Sequence, residues 1–449
     1  MRGKGIAAAS GTVRVGVGLV ILGVTSYAYL TLAARRLPVA DFASVSVLWS
    51  VVYIVGPGVF QPFEQQLGRA LAARRARDDA HRHLPARVIR VAVIIVVALT
   101  LVTVGAARPL THVLFGDSPG VLIALVLSYS ALAAAYVYRG VLAGEGRFDL
   151  YGAQLGIEGG VRVVGIVLLT SWGTATVGAV AALIPVAQAV SVLATARGRR
   201  SLVSTPARVL GRGTQPPGDV VSSTDRALGS TLAWLVVGAV ASQTLVNAST
   251  LLARLLARED PVAVGHLQAA LLIARVPLFL FAAVQAALLP SLSALVATGR
   301  LAALRRRILL VTGGITIVMT LASLVVGLAG PWAVRTLFGP AFLLSGGTLA
   351  SLTAGTGLFM LGGACASAVL AVGRFRSVAL RWGWGVVAML GFTLVPMSLI
   401  DRLVLGFVAG SGVAGVLMVL LVRSWTRTPS PGTSTAATGR VDAALDGSD

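Results

Sequence analysis

The sequence is poor in charged residues, and poorest in acidic ones. Asp, Glu, Lys and Arg make up 12% of its 449 residues, about half of the ~25% that is usual in soluble domains; Asp and Glu together number only 16. Its single cysteine, Cys365, excludes a disulfide framework and a metal site of clustered thiolates. Its glycine-rich stretches lack the Lys-Ser/Thr pair of a phosphate-binding loop, so an ATPase of that kind is excluded as well.

Long apolar runs take the place of the missing charge. Hydrophobic residues make up 56% of the chain, and its mean hydropathy is +0.88. Runs of about 20 residues can cross a bilayer as helices, and these runs lack the alternation of barrel strands. The sequence therefore predicts an all-α, multi-pass membrane protein with about twelve spans, near residues 12–34, 42–62, 88–107, 119–138, 150–171, 174–195, 228–251, 262–288, 307–328, 343–372, 377–399 and 403–422.

Basic residues are unevenly divided among the connections between these spans. The chain has 37 Lys and Arg residues and a net charge of +21. Most of them fall in the two terminal tails and in the loops after even-numbered spans, and Arg139 is counted with the loop after the fourth span. Because cytoplasmic loops carry such an excess, both termini are predicted to be cytoplasmic, in a bacterial plasma membrane. The charge is attributed to these loops and to anionic membrane lipids, not to nucleic acid.

Two short sequences recur in the second half of the chain. Leu-Phe-Gly at 114–116 recurs at 337–339, and Gly-Arg-Phe at 146–148 recurs at 373–375, in each case at equivalent ends of spans. This pattern predicts a six-plus-six duplication, with cargo bound between two lobes. The predicted units are an N-terminal lobe, a basic cytoplasmic linker, a C-terminal lobe and a disordered cytoplasmic tail, at 1–195, 196–227, 228–423 and 424–449.

Three segments resemble a known family. They are Leu-Phe-Gly after the third span, Arg-Gly-Val-Leu-Ala-Gly-Glu-Gly-Arg-Phe at 139–148, and Arg-Val-Pro-Leu-Phe-Leu-Phe at 275–281 with Leu-Pro at 289–290. They are similar to the polysaccharide-export branch of the multidrug/oligosaccharide-lipid/polysaccharide superfamily. The resemblance implies two six-helix lobes, alternating access and a cargo of undecaprenyl-pyrophosphate-linked oligosaccharide moved to the outer leaflet. Its partners would be this cargo, membrane lipids and the glycosyltransferases or polymerase of a surface-polysaccharide pathway.

Four arginines are candidates for contact with the cargo phosphates: Arg275, Arg162, Arg14 and Arg254. Glu158 and Arg162 share a helix face at a spacing of four residues, so they form either a structural ion pair or a lobe-lining pair. Arg275 has no acidic partner in its own span and either binds phosphate or caps backbone carbonyls. Arg14 is either an ordinary cytoplasmic anchor or an entry-side phosphate contact.

Polar residues form stripes on two spans, the second and the seventh. We expect them either to make hydrogen bonds between helices or to form a hydrophilic path for sugar hydroxyls, a role that the family resemblance favours. The candidates for lining the cavity are Glu158, Gln243, Asn247, Thr250, Gln268, Tyr53, Gln61 and Glu64.

Other functional classes remain open at this point. A cation-coupled drug exporter of the MATE type would use Glu158 as its buried carboxylate. A membrane glycosyltransferase or ligase would need catalytic carboxylates on a sizeable domain, which the short outer loops do not provide. A scaffold for a synthesis complex would use the basic loops. The sequence predicts a protein that is not an enzyme and has no catalytic residue, no cofactor and no metal.

Overall fold

The computed structural model describes residues 2–75, 83–202, 221–256 and 261–427, and this part of the chain is helical with no strand. The first half contains α1 (Arg2–Arg36), α2 (Val39–Val55), a π-helical turn (Gly56–Phe60), α3 (Gln61–Arg75), α4 (His83–Gly105), α5 (Ala107–Leu114), α6 (Pro119–Gly144), α7 (Phe148–Ser171) and α8 (Val177–Leu202). The second half contains α9 (Val221–Leu256), α10 (Pro261–Ala274), α11 (Val276–Ala297), α12 (Leu301–Phe338), α13 (Gly346–Ala371), α14 (Phe375–Gly391), a 3-10 turn (Phe392–Leu394) and α15 (Leu399–Arg427).

The predicted all-α membrane architecture is confirmed. Eleven helical stretches in the described residues are long and apolar enough to cross a membrane. The twelfth predicted span, near 262–288, corresponds to the shorter apolar helix Val262–Ala274 together with α11. The span predicted near 262–288 is broken at Arg275, just before Pro277. The span predicted near 343–372 is the continuous helix α13.

The two halves pack by the same plan. In the first half, α1 packs on α7, α6 on α8 and α3 on α6; in the second, α9 packs on α14, α13 on α15 and α11 on α13. Small residues allow equivalent close approaches: a Cβ on Gly18 would lie 2.7 Å from the carbonyl oxygen of Gly152, and one on Gly238 would lie 3.3 Å from the Cα of Ala379. Two pseudo-symmetric lobes of six spans are therefore present.

The lobes meet mainly in the half of the molecule that lies away from the two chain termini. We call the end of the molecule on that side the distal face. There α2 packs against α9 and α10 of the other lobe. Phe42 meets Phe342 edge to face with ring centroids 6.1 Å apart, and a Cβ on Gly265 would lie 2.8 Å from a methyl group of Val39. Deeper in the molecule, the π-helical turn rests on α9.

The predicted linker and tail lie largely outside the described residues. Helix α8 runs to Leu202 and α9 begins at Val221, so both ends of the predicted linker at 196–227 are helical, whereas residues 203–220 are outside the described part. Helix α15 reaches Arg427, beyond the predicted boundary at 424. The unit boundaries stay predictions.

Candidate functional site

The N-terminal lobe contains a buried cluster of four alternating charges, which we call the tetrad: Glu64, Arg139, Glu158 and Arg162. Arg139 Nε lies 3.5 Å from Glu64 Oε2, and Arg139 Nη1 lies 3.9 Å from Glu158 Oε2. Arg162 Nη2 donates a hydrogen bond to Glu158 Oε1. Two carboxylates and two guanidinium groups cancel in charge, which is the condition under which a membrane interior tolerates them.

Aromatic side chains surround the tetrad. The Arg139 guanidinium lies 4.1 Å from the ring centroid of Tyr136, and the Arg162 guanidinium lies 5.4 Å from that of Trp49. The hydroxyl of Tyr151 donates a hydrogen bond to the carboxylate of Glu64 on α3. Because cations over ring faces and charge-assisted hydrogen bonds strengthen in a dry interior, this surrounding ties α2, α3, α6 and α7 together.

The tetrad corrects one sequence-based expectation, the placement of Arg139 in a loop. The side chains of Arg139 and Glu64 are only 7% and 11% exposed. Helix α3 continues to Arg75 and α6 continues to Gly144, so both charged residues lie within helices. The spacing-based pairing of Glu158 with Arg162 is present.

Four polar side-chain atoms of α7, in the tetrad and next to it, have no hydrogen-bond partner among the described residues. They are both side-chain amide atoms of Gln154, one turn before Glu158 on α7, together with Glu158 Oε2 and Arg162 Nε. Buried polar atoms in folded proteins are ordinarily paired with protein or ordered water. This stripe of α7 therefore has capacity for further polar contacts.

A second buried charge lies in the C-terminal lobe, at the break between α10 and α11. Arg275 is 9% exposed, and its Nη2 donates a hydrogen bond to the carbonyl oxygen of Val246 on α9. Its guanidinium is 5.9 Å from the ring centroid of Phe407, and its Nε has no hydrogen-bond partner within the described ranges. No carboxylate in those ranges comes within ion-pair distance of Arg275, unlike the two arginines of the tetrad.

Polar residues near Arg275 are joined to one another. The Thr250 hydroxyl donates to Gln268 Oε1 at 2.7 Å and so links α9 to α10. Asn247 Nδ2 donates to the backbone oxygen of Gln243 at 3.0 Å, within α9. Part of the predicted polar stripe is thus used for bonds within and between helices, which is the structural alternative given above.

The remaining predicted residues occupy three kinds of position. Arg254 donates from Nε to the carbonyl oxygen of Val113 at 3.1 Å, across the distal face. Tyr53 lies beside the tetrad, because it stacks on Trp49 with centroids 4.6 Å apart and Trp49 contacts Arg162. Two further candidates, Arg14 on α1 and Gln61 on α3, are exposed.

Comparison with known proteins supports the fold. No family model matches the chain. An uncharacterized protein of Mycobacterium tuberculosis is 28% identical over 411 residues, which cover 88% of each chain, and one of Mycobacterium bovis is 28% identical over 430 residues, which cover 94% of each.

Solved structures similar to this chain are MATE transporters. One is an inward-facing multidrug resistance MATE family transporter of the MOP superfamily, with a TM-score of 0.68, 14% identity and coverage of 91% of this chain and 97% of the other. Another is a MATE transporter of Vibrio cholerae, with a TM-score of 0.64, 16% identity and coverage of 94% and 97%. The chain therefore has the fold of MATE transporters.

Proposed function

We propose that the protein is a flippase that moves an anionic, lipid-linked oligosaccharide from the inner to the outer leaflet of a bacterial plasma membrane by alternating access. The observation that carries this proposal is Arg275, a buried cation with no carboxylate partner in the described residues. The fold, whose solved neighbours are described as transporters, supports movement of a cargo between the lobes.

The position of Arg275 suits a phosphate. A charge at bilayer depth costs at least about 2.5 kcal/mol, so it requires compensation. One Nη2 bond to a carbonyl uses a single donor, whereas a guanidinium has five and binds phosphate oxygens in pairs. The residue also precedes the first residue of α11, and the N-terminal end of a helix attracts anions. A pyrophosphate linked to a sugar is the anion that the sequence resemblance suggests.

The tetrad takes a different part in this proposal. Arg162 forms an ion pair with Glu158, and Arg139 forms ion pairs with both Glu64 and Glu158. Neither arginine is therefore proposed as a phosphate ligand. Arg275 lies outside this neutral cluster and adds a positive charge that no carboxylate of the described residues balances. We assign the tetrad to holding the N-terminal lobe rigid while the lobes move against each other.

A cation-coupled drug exporter is the second candidate. One solved neighbour is described as a multidrug resistance transporter, and two buried carboxylates, Glu64 and Glu158, lie in the N-terminal lobe. Both are paired with arginine, which weakens their attraction for a cationic drug. The anionic cargo is therefore preferred, with both termini in the cytoplasm and glycosyltransferases or a polymerase as partners in the pathway.

The test is deletion of the gene, followed by assay of lipid-linked sugars on each leaflet and complementation with variants. Wild-type complementation should restore outward movement, Arg275→Ala should not, and Arg275→Lys should restore it partly. The matched control is Arg381→Ala, because Arg381 is also a C-lobe arginine and donates to the carbonyls of Leu417 and Ser377. All variants are compared at equal membrane abundance.

Two results would contradict the proposal. Full activity of Arg275→Ala would remove that residue from cargo binding. Unchanged lipid intermediates after deletion, with a gain in sensitivity to cationic dyes, would replace the flippase by the drug exporter and make Glu158 the residue to test.

A further inference from the structure

Two arginines occupy equivalent positions of the repeat at the distal face. Arg35 lies in the last turn of α1, in the sequence Leu-Ala-Ala-Arg, and Arg254 lies in the last turn of α9, in Leu-Leu-Ala-Arg. Helices α1 and α9 are counterparts, since α1 packs on α7 as α9 packs on α14. Each arginine reaches out of its own lobe into the other one.

Each arginine donates to backbone carbonyls at the end of a helix in the opposite lobe. Arg35 Nε lies 2.6 Å from the oxygen of Leu337, and its Nη2 donates to that of Thr336, both in the last turn of α12. Arg254 Nε lies 3.1 Å from the oxygen of Val113 in the last turn of α5. The acceptors lie at the two copies of the Leu-Phe-Gly repeat, so donor and acceptor are both duplicated.

Physical chemistry favours these contacts. The last carbonyls of a helix have no partner within it and form the negative end of the helix dipole. A guanidinium group that caps these carbonyls donates the hydrogen bonds they lack and places its positive charge next to the negative end of the dipole. Next to these caps the lobes also join through the Phe42–Phe342 contact, so the polar and apolar contacts hold the same face closed.

We infer that Arg35 and Arg254 form a reciprocal lock that keeps the distal face closed and is released when that face opens. Each lobe supplies one donor arginine and one acceptor helix end. Separation of the lobes therefore breaks both arginine caps together, while motion within a lobe breaks neither. The inference rests on the alternating access of the proposed function but does not depend on which cargo is carried.

The test measures opening of the distal face directly. Ser44 on α2 is 3% exposed, and α2 packs against α9 and α10 of the other lobe, so Ser44→Cys in a Cys365→Ala background reports on this seam. A membrane-impermeant maleimide is added to the distal side of membranes. The double change Arg35→Ala and Arg254→Ala should raise the labelling rate about ten-fold, the effect of about 1.4 kcal/mol removed from the closed state.

A control variant and a second thiol separate release of the lock from loss of structure. Arg36→Ala changes the exposed neighbour, which takes no part in the lock, and should leave the rate unchanged. In chains that retain Ser44, the native Cys365, 2% exposed inside the C-terminal lobe, should stay slowly labelled. Unchanged labelling of Ser44→Cys in the double variant, or a parallel rise at Cys365, would overturn the lock. Labelling needs no cargo, so failure of the flippase proposal would leave this result interpretable.

Discussion

Removal of Arg139 should destabilise the N-terminal lobe strongly. Arg139→Met keeps most of the side-chain volume but removes the charge that lies 3.5 Å from Glu64 and 3.9 Å from Glu158. The tetrad then carries one uncompensated negative charge in a buried site. Breaking a buried ion pair by removal of one partner costs about 3–5 kcal/mol. We expect a loss of stability within this range.

A double change should recover much of that loss. Arg139→Met combined with Glu64→Gln leaves only the neutral pair of Glu158 and Arg162, so no buried charge is uncompensated. Residues in one charge network show coupling energies of about 0.5–3 kcal/mol, and the upper part of this range is expected because the site is dry. Loss of helical circular dichroism on heating in detergent measures unfolding.

The matched control is Arg147→Met. Arg147 forms an ion pair with Asp149 at 3.9 Å, but the two side chains are 22% and 50% exposed. An exposed pair contributes about 0–1 kcal/mol, so this variant should unfold almost as the wild type does. Equal stability of the Arg139 and Arg147 variants, or a double variant no more stable than Arg139→Met alone, would refute the account of the tetrad.

Two smaller perturbations test the packing of the helices. Gly152→Ala places a Cβ 2.6 Å from the carbonyl oxygen of Arg14 and should lower the unfolding temperature, whereas Gly160→Ala, with open space around its Cβ, should not; equal effects would contradict the close α1–α7 approach. Thr250→Val removes the hydrogen bond to Gln268 and should cost about 0.6 kcal/mol in the same assay; a loss of several kcal/mol would mean that the bond serves more than helix pairing.

The helical architecture was predictable because the bilayer imposes it on the sequence. Apolar length alone gives the spans, and Pro277 indicates the break that leaves Arg275 at the start of α11. The duplication was visible in Leu-Phe-Gly and Gly-Arg-Phe because both lie at helix ends, where turn geometry restricts the residues: Gly116 and Gly373 have positive φ of 56° and 78°.

The partners of the buried charges were not predictable from one sequence. Glu64 and Arg139 each lie near the end of an apolar run, where hydropathy alone predicts the end of the span. Each charge is tolerated in the protein interior only because the other charge, on a different helix, compensates it. The phosphate contact of Arg254 stays a prediction. In the structure Arg254 donates to the backbone oxygen of Val113, and a backbone acceptor cannot be recognised from residue types in the sequence.

The two lobes share a packing plan but differ in the chemistry of their interiors. Where α7 carries two of the tetrad charges, Glu158 and Arg162, its counterpart α14 packs through a glycine: a Cβ on Gly385 would lie 2.7 Å from the carbonyl oxygen of Gly410. A gene duplication produces identical copies, so one copy has gained or lost the ionic core since that event. One half can therefore no longer replace the other. A chimaera of two N-terminal halves would have two ionic cores and no Arg275.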